Sequence, residues 1–159
     1  MIKKVAVIGS GTMGHGIAQI FAAAHCPVTI YDLRAELLTK ARRMIIQNLE
    51  VMKKESYINS DEQKATLEML SYSTDLSEAV HDADLIIEAI PEVLEFKLQL
   101  FKLLETRIRS TAIVASNTST FPISKLAEEC AFSERLLITH FFNPAHLVKL
   151  VEVVKHEHT

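Results

Sequence analysis

A short apolar run, Val5–Ile8, breaks into Gly9-Ser10-Gly11-Thr12-Met13-Gly14 and passes at once into a helix-like pattern whose apolar positions are Ile17, Ala18, Ile20 and Phe21. Strand, tight turn and helix in that order are the setting in which G-x-G-x-x-G carries meaning. Gly9 permits the sharp turn, Gly11 lets backbone amides approach a pyrophosphate, and Gly14 lets the helix pack close to the strand. Thr12 and Met13 complete the cradle at the helix N-terminus, where free N–H groups and the macrodipole favour negative charge. A second strand-like run, Val28–Tyr31, ends in Asp32, eighteen residues beyond Gly14. A carboxylate there accepts both ribose hydroxyls of an adenosine and repels a 2′-phosphate, which points to NAD rather than NADP. The competing reading is a glycine-rich turn in another α/β protein. All four glycines of the chain lie between positions 9 and 16, so glycine is not serving as filler.

The chain has 159 residues, enough for one α/β domain with its own core. A net charge of −3 and the absence of tryptophan provide neither a basic face nor a stacking platform, which argues against nucleic acid as a partner. No apolar run reaches membrane-spanning length and no signal-like segment precedes the first strand, so no membrane association is expected and a cytoplasmic location is the expectation. Cys26 and Cys130 lack C-x-x-C spacing and read as buried small residues in a reducing compartment.

Along the chain, strands are expected at Lys3–Ile8, Val28–Tyr31, Tyr72–Ser73, Asp84–Ala89, Ala112–Ala115 and Leu136–Thr139, with a final extended segment at Leu147–Val154. Helices are expected at Thr12–His25, from Arg34 to about Glu55, at Asp61–Leu70 and Leu76–Val80, at Glu92–Arg109 after Pro91, and from Pro122 to about Glu129. Val93, Phe96, Leu100, Leu103 and Leu104 are expected on the inner face of the Glu92–Arg109 helix. The alternation predicts an α/β, doubly wound, mainly parallel sheet of Rossmann type spanning 1–159. Ligands bind outside the carboxyl ends of such strands. Asp32, Ser116–Thr120 and His140–Asn143 all lie there.

Of the seven histidines, His140 stands apart because it ends a strand at this rim, with Phe141 and Phe142 placed to dry its surroundings. His25 and His81 read as helix ends, His15 as lining the turn, and His156 and His158 as part of a solvated tail. Glu152 sits between valines in an apolar segment, where an unpaired buried carboxylate is costly. If that segment returns beside the sixth strand, Glu152 reaches the His140 ring and tunes it for taking a proton from an alcohol. The alternative is a pairing with Lys149 or Lys155 on an exposed edge. Ser116, Asn117, Thr118 and Ser119 serve either as turn formers or as hydrogen-bonding groups beside a nicotinamide. Glu92 and Lys97 otherwise read as the exposed first turn of a helix.

VIGSGTMGHGIAQ, EAIPE, SNTST and HFFNPAHLVKLVEVV together resemble the NAD-binding domain of the L-3-hydroxyacyl-CoA dehydrogenases, enzymes of fatty-acid β-oxidation and, as 3-hydroxybutyryl-CoA dehydrogenases, of butyrate-type metabolism. The resemblance covers the whole chain. It implies interconversion of (S)-3-hydroxyacyl-CoA and 3-oxoacyl-CoA with NAD, His140 acting as base and Glu152 orienting it. It further implies that Ser119 and Asn143 contact substrate, that Asn117, Glu92 and Lys97 contact the cofactor alongside Gly9, Gly11, Thr12, Met13, Gly14 and Asp32, and that Asn48 and Lys54 on the long second helix face coenzyme A. Family members continue into an all-helical domain that completes the acyl-CoA cleft and carries most of a homodimer interface; that domain is absent from these residues. Ala145-His146-Leu147 departs from the family's usual Pro-Val run. The alternatives are a related hydroxyacid or sugar-acid dehydrogenase, like gulonate dehydrogenase, and a non-catalytic NAD-binding module.

Overall fold

The computed structural model describes residues 2–159. Seven strands form one sheet: β1 (Val5–Ile8), β2 (Val28–Tyr31), β3 (Leu70–Ser73), β4 (Leu85–Glu88), β5 (Ile113–Ser116), β6 (Leu136–Phe141) and β7 (Val151–Lys155), in spatial order β3-β2-β1-β4-β5-β6-β7. The first six are parallel and β7 is antiparallel to β6. This is the doubly wound order expected of a dinucleotide-binding sheet, with its switch point between β1 and β4. The helices are α1 (Gly14–Ala23), α2 (Ala35–Lys54), α3 (Ser60–Glu68), α4 (Leu76–Val80), α5 (Leu94–Leu104) and α6 (Ile123–Ala127).

Strands covered on both faces need no polar alternation. Every residue of β1 and β4 is buried. Val5 and Val7 face a core shared with Ile17, Ile45 and Leu49. Ala6 and Ile8 face the opposite core, with Phe101, Leu104 and Phe132. The sheet thus lies between two helical layers. Its start is fixed by Asp84, whose carboxylate accepts from the Lys3 and Lys4 amides at 2.8 and 3.2 Å and from Arg109 at 2.9 Å.

Several boundaries differ from expectation. β3 begins at Leu70, not Tyr72, because Ser71 pairs with Thr29 through their hydroxyls at 2.9 Å inside the ladder. α3 begins at Ser60 behind a reciprocal cap made by Asn59 and Glu62. α5 is shorter than Glu92–Arg109: Val93 is extended and the helix ends at Leu104. Its inner face is Lys97, Leu100, Phe101 and Leu104, while Phe96 and Leu103 are about half exposed. A stripe of apolar residues alone omits Lys97, which is buried with them. β5 runs on to Ser116, which is buried within the strand instead of lying on the rim. Both cysteines are only half-buried. Among the described residues no helix is long and apolar enough to cross a membrane.

Candidate active site

The turn after β1 shows three separate uses of glycine. Gly9 has φ +98°, a conformation that side chains rarely adopt. A Cβ on Gly14 would lie 1.8 Å from the Gly9 carbonyl oxygen, so the helix could not approach this turn with any side chain there. A Cβ on Gly11 would meet nothing within 4 Å; that space lies open above the turn, where a pyrophosphate would pass. α1 starts at Met13 and Gly14 without a side-chain cap, leaving its first turn to an anion. Gly16 serves packing instead, a Cβ there standing 3.3 Å from Ala145.

Asp32 follows β2 and leans toward this turn. One carboxylate oxygen accepts from the Ser10 amide at 2.9 Å and the Ser10 hydroxyl at 2.7 Å, and the other from the Leu33 amide at 2.8 Å. Ser10, Gly11, Thr12, Asp32, Leu37, Lys40 and Met44 line a cavity of about 150 Å³. Leu37 and Met44 beside the Asp32 carboxylate suit an adenine and its ribose. The residues present therefore fit NAD: an open cradle, an uncapped helix and a ribose acceptor.

Three strands away, β6 carries His140 one residue before its end. Cross-strand pairing sets His140 opposite Glu152, so both side chains share a face. Nδ1 of the ring lies 2.8 Å from the Glu152 carboxylate, and Nε2 lies 3.0 Å from the Ser119 Oγ. A carboxylate only accepts, so Nδ1 carries the hydrogen and Nε2 turns its lone pair to Ser119. Glu152 itself is not buried, as had been expected from its valine neighbours. Its side chain is 57% exposed, and Val153 and Val154 are exposed too, because β7 is an edge strand. Phe142 packs against the His140 ring at 4.8 Å between centroids; Phe141 instead turns into the core. Asn117 places its side-chain oxygen 2.9 Å from the Phe141 amide and donates its own amide to Glu88, locking the ends of β4, β5 and β6 together.

Glu92 is partly exposed and precedes the helix, whereas Lys97 does not lie on an exposed helical turn. Lys97 is 1% exposed, with its ammonium 2.7 Å from Glu88 and 3.0 Å from Glu92. Glu88 is wholly buried; its carboxylate also accepts from the Ser116 hydroxyl and the Ile90 amide. Burial acts to raise the Glu92 carboxyl, but hydrogen bonds from Thr118, Lys97 and Thr120 and the Lys97 charge outweigh it and bring it down to about 2. The Lys97 ammonium lies between two carboxylates, those of Glu88 and Glu92. Glu88 went unread in the sequence, although an acid inside a buried strand and a lysine on a buried helix face are each a signal for the other.

Asn143 is exposed beside the rim, joined to Pro144 by a cis peptide bond. Lys54 is exposed at the end of α2. Asn48 does not point freely to solvent: its amide donates to Gln19 at 3.0 Å and lies 3.4 Å from His146. His15 is buried, its ring nitrogen 2.7 Å from the Gly11 carbonyl.

Residues 4–159 match the family model described as 3-hydroxyacyl-CoA dehydrogenase, NAD binding domain. The hydroxyacyl-coenzyme A dehydrogenase of Sus scrofa mitochondria is 40% identical over 98% of this chain and 51% of its own length. The 3-hydroxybutyryl-CoA dehydrogenase of Mycobacterium tuberculosis is 36% identical over 97% of this chain and 54% of its own. The crystal structure of 3-hydroxybutyryl-CoA dehydrogenase from Escherichia coli K12 superposes with a TM-score of 0.96 at 40% identity, covering 100% of this chain and 34% of that one. The chain spans about half the length of the curated relatives it matches.

Proposed function

The chain belongs to the 3-hydroxyacyl-CoA dehydrogenase family, as its NAD-binding domain, and on that premise we propose that the protein interconverts (S)-3-hydroxyacyl-CoA and 3-oxoacyl-CoA at the rim around His140. The observation that carries this reading is the line Ser119–His140–Glu152, with contacts of 3.0 and 2.8 Å, on the same edge of the sheet as the phosphate cradle. A pure binding module has no use for it.

The chemistry follows from the hydrogen bonds. Glu152 holds Nδ1–H and fixes the ring's orientation. Nε2 then faces outward beside the Ser119 hydroxyl, and a substrate alcohol that reaches both has its oxygen held by Ser119 and its proton taken by Nε2. As that O–H bond breaks, its electron pair forms the carbonyl; NAD, which the Gly9–Gly14 turn and Asp32 would hold, would supply the acceptor for the hydride that the carbinol carbon gives up. The imidazolium formed is stabilised by the adjacent carboxylate. In the reverse direction His140 returns the proton to the carbonyl oxygen. Phe142 packs against the ring at 4.8 Å between centroids.

Asp32 supports preference for NAD over NADP. Asn143 is proposed to contact substrate, and Asn117 to set the strand ends from which the site projects. Lys54 and, through rearrangement of its bonds to Gln19, Asn48 are proposed to meet coenzyme A. The homodimer and much of the acyl-CoA cleft are assigned to the family's helical domain. A short-chain, butyrate-type substrate is supported by the relatives named for 3-hydroxybutyryl-CoA, and a reducing compartment such as the cytoplasm by two free cysteines.

The test is consumption of NADH with acetoacetyl-CoA by the protein that carries this chain, against acetoacetate without coenzyme A. His140→Gln should lower kcat by about 10²–10⁴, the usual worth of a positioned acid–base group. Equal turnover of the two substrates would favour a hydroxyacid dehydrogenase instead. Undiminished kcat in the variant would remove His140 from the reaction.

A further inference from the structure

Resting on that reading of the rim, we infer that His146 is a positioning residue for the acyl-CoA substrate: as a neutral ring accepting at Nδ1, it ties the turn that follows Asn143 to α2 through Asn48, and its protonation releases that turn.

His146 belongs to the Ala145-His146-Leu147 run that departs from the family's usual Pro-Val run. The chain forms one tight turn here, in which the Pro144 carbonyl accepts from the Leu147 and Val148 amides at 3.0 and 3.1 Å. Ala145 is buried and seats the turn on α1: a Cβ on Gly16 would stand 3.3 Å from the Ala145 side chain and 3.7 Å from Nδ1 of His146. The second anchor is the His146 ring, whose Nδ1 lies 3.4 Å from the Asn48 amide nitrogen on α2. Asn143 directly precedes Pro144, so these two anchors decide where it stands at the rim.

The direction of the hydrogen bonds follows from a sulfur. The Met52 thioether accepts but does not donate, so the Gln19 group 3.4 Å from it is the amide nitrogen, and the Gln19 oxygen faces Asn48. That oxygen accepts from the Asn48 amide nitrogen at 3.0 Å, and the second hydrogen of the same nitrogen is left for Nδ1 of His146. Nδ1 therefore holds a lone pair and Nε2 the hydrogen, the reverse of His140. A proton on Nδ1 would set donor against donor. Turning the Asn48 amide over would only set its oxygen against that of Gln19.

The surroundings favour the neutral ring. Burial holds His146 below the usual histidine range, and His15 on α1 adds to this. Among the described residues His15 is the ionisable group whose charge bears on the ring; α2 meets it with the uncharged Asn48. The latch is therefore complete above the ordinary value of 6.5 and is lost as pH falls through the depressed one.

The experiment compares the parent with His146→Asn, whose Oδ1 can stand where Nδ1 does but cannot take a charge, and with His146→Phe, which keeps the bulk and removes the acceptor. The ¹⁵N resonances of the His146 ring give the tautomer, and the amide resonances of Leu147 and Val148 follow the turn between about pH 7.5 and 5.5. kcat and KM with acetoacetyl-CoA are measured over the same range, and NADH affinity by fluorescence. The neutral ring should carry its hydrogen on Nε2. The Leu147 and Val148 amides should shift with the titration of that ring in the parent and lose this shift in His146→Asn. At about pH 7.5, KM should be about two- to tenfold higher in His146→Phe than in the parent, the worth of one hydrogen bond, with kcat and the NADH dissociation constant within about twofold. In acid the parent's KM should rise by a like factor over that of His146→Asn. A hydrogen on Nδ1, an equal acid rise in KM for His146→Asn, or an unchanged KM in His146→Phe would each overturn the inference. If the parent does not turn over acetoacetyl-CoA, the proposed reaction fails, but the ring tautomer and the Leu147 and Val148 resonances still decide the latch.

Discussion

The three motif glycines allow a test in which one added methyl group separates folding from binding. Gly14→Ala sets a carbon 1.8 Å from the Gly9 carbonyl oxygen and 2.9 Å from its carbon, where ordinary contact begins near 3.4 Å. The obstacle is backbone, and it has no room to retreat. The Gly9 amide is bonded to Tyr31 at 2.9 Å, and space on its far side is taken by Ala89, 2.5 Å from where a Gly9 side chain would be. A shift of about 1.5 Å must therefore come from moving α1 off the sheet, at the upper end of the roughly 1–3 kcal/mol that overpacking costs. For a chain of this size the melting temperature should fall by about 6–12 °C. Gly11→Ala meets nothing within 4 Å and sits outside the left-handed region, so its melting temperature should stay within about 1–2 °C of the parent. Its methyl group enters the pyrophosphate path, and NADH affinity should fall about tenfold or more, equivalent to about 1.4 kcal/mol. Thermal melts and NADH fluorescence titrations on the same samples check both. Normal NADH binding by Gly11→Ala, or a Gly14→Ala protein as stable as the parent, would refute the assignment of these roles.

Three further outcomes are expected. Asp32→Ala should weaken NADH binding by about 1–3 kcal/mol for a lost charged hydrogen-bonding group while leaving NADPH no worse bound; calorimetry with both nucleotides measures the ratio. The Glu92 carboxyl, ordinarily near 4.5, stands at about 2 in the fold, so its contribution is complete above about pH 4.5 and is lost as pH falls through 2. After discounting for a side chain about one-third exposed, roughly 1–2 kcal/mol should disappear over that window, and acid melts of Glu92→Gln should lose this part of the slope. Burial, with Glu105 and Glu134 nearby, pushes the Cys130 thiol up to about 11, so a thiol reagent at pH 8 should label it far more slowly in the folded chain than in urea; equal rates would mean that the thiol is not shielded.

The architecture was legible because its main signals are local. Strand, glycine turn and helix are contiguous in the sequence, and the following apolar runs report parallel strands covered on both faces. The edge strands were harder to read. β3 contains Ser71 and β7 contains Glu152, since an edge strand has solvent on one side and need not be apolar. The sequence pairs His140 with Glu152 if the last segment returns beside the sixth strand, and the valines around Glu152 suggest a carboxylate in need of a partner. The pairing holds at 2.8 Å, yet the carboxylate is mostly exposed. What brings the two together is register, the antiparallel return of β7 opposite β6, and no charge penalty drives it.

The ion pairs of Lys97 beneath the rim were not legible, and the reason bears on how such sites are built. Lys97 occupies the helical position that spacing with Leu100, Phe101 and Leu104 assigns to the core, and Glu88 closes an otherwise apolar strand. Each taken alone is an exception to the rule that charges stay outside. The exceptions cancel only in three dimensions, where parallel pairing sets Glu88 beside Ser116 and α5 packs back across β4. The proposed catalytic line consists of residues whose chemistry can be named from their type; Glu88 and Lys97 are recognisable only by where they should not be. A charged residue on a buried stripe therefore points to an opposite charge at the end of a neighbouring strand, as Lys97 does to Glu88.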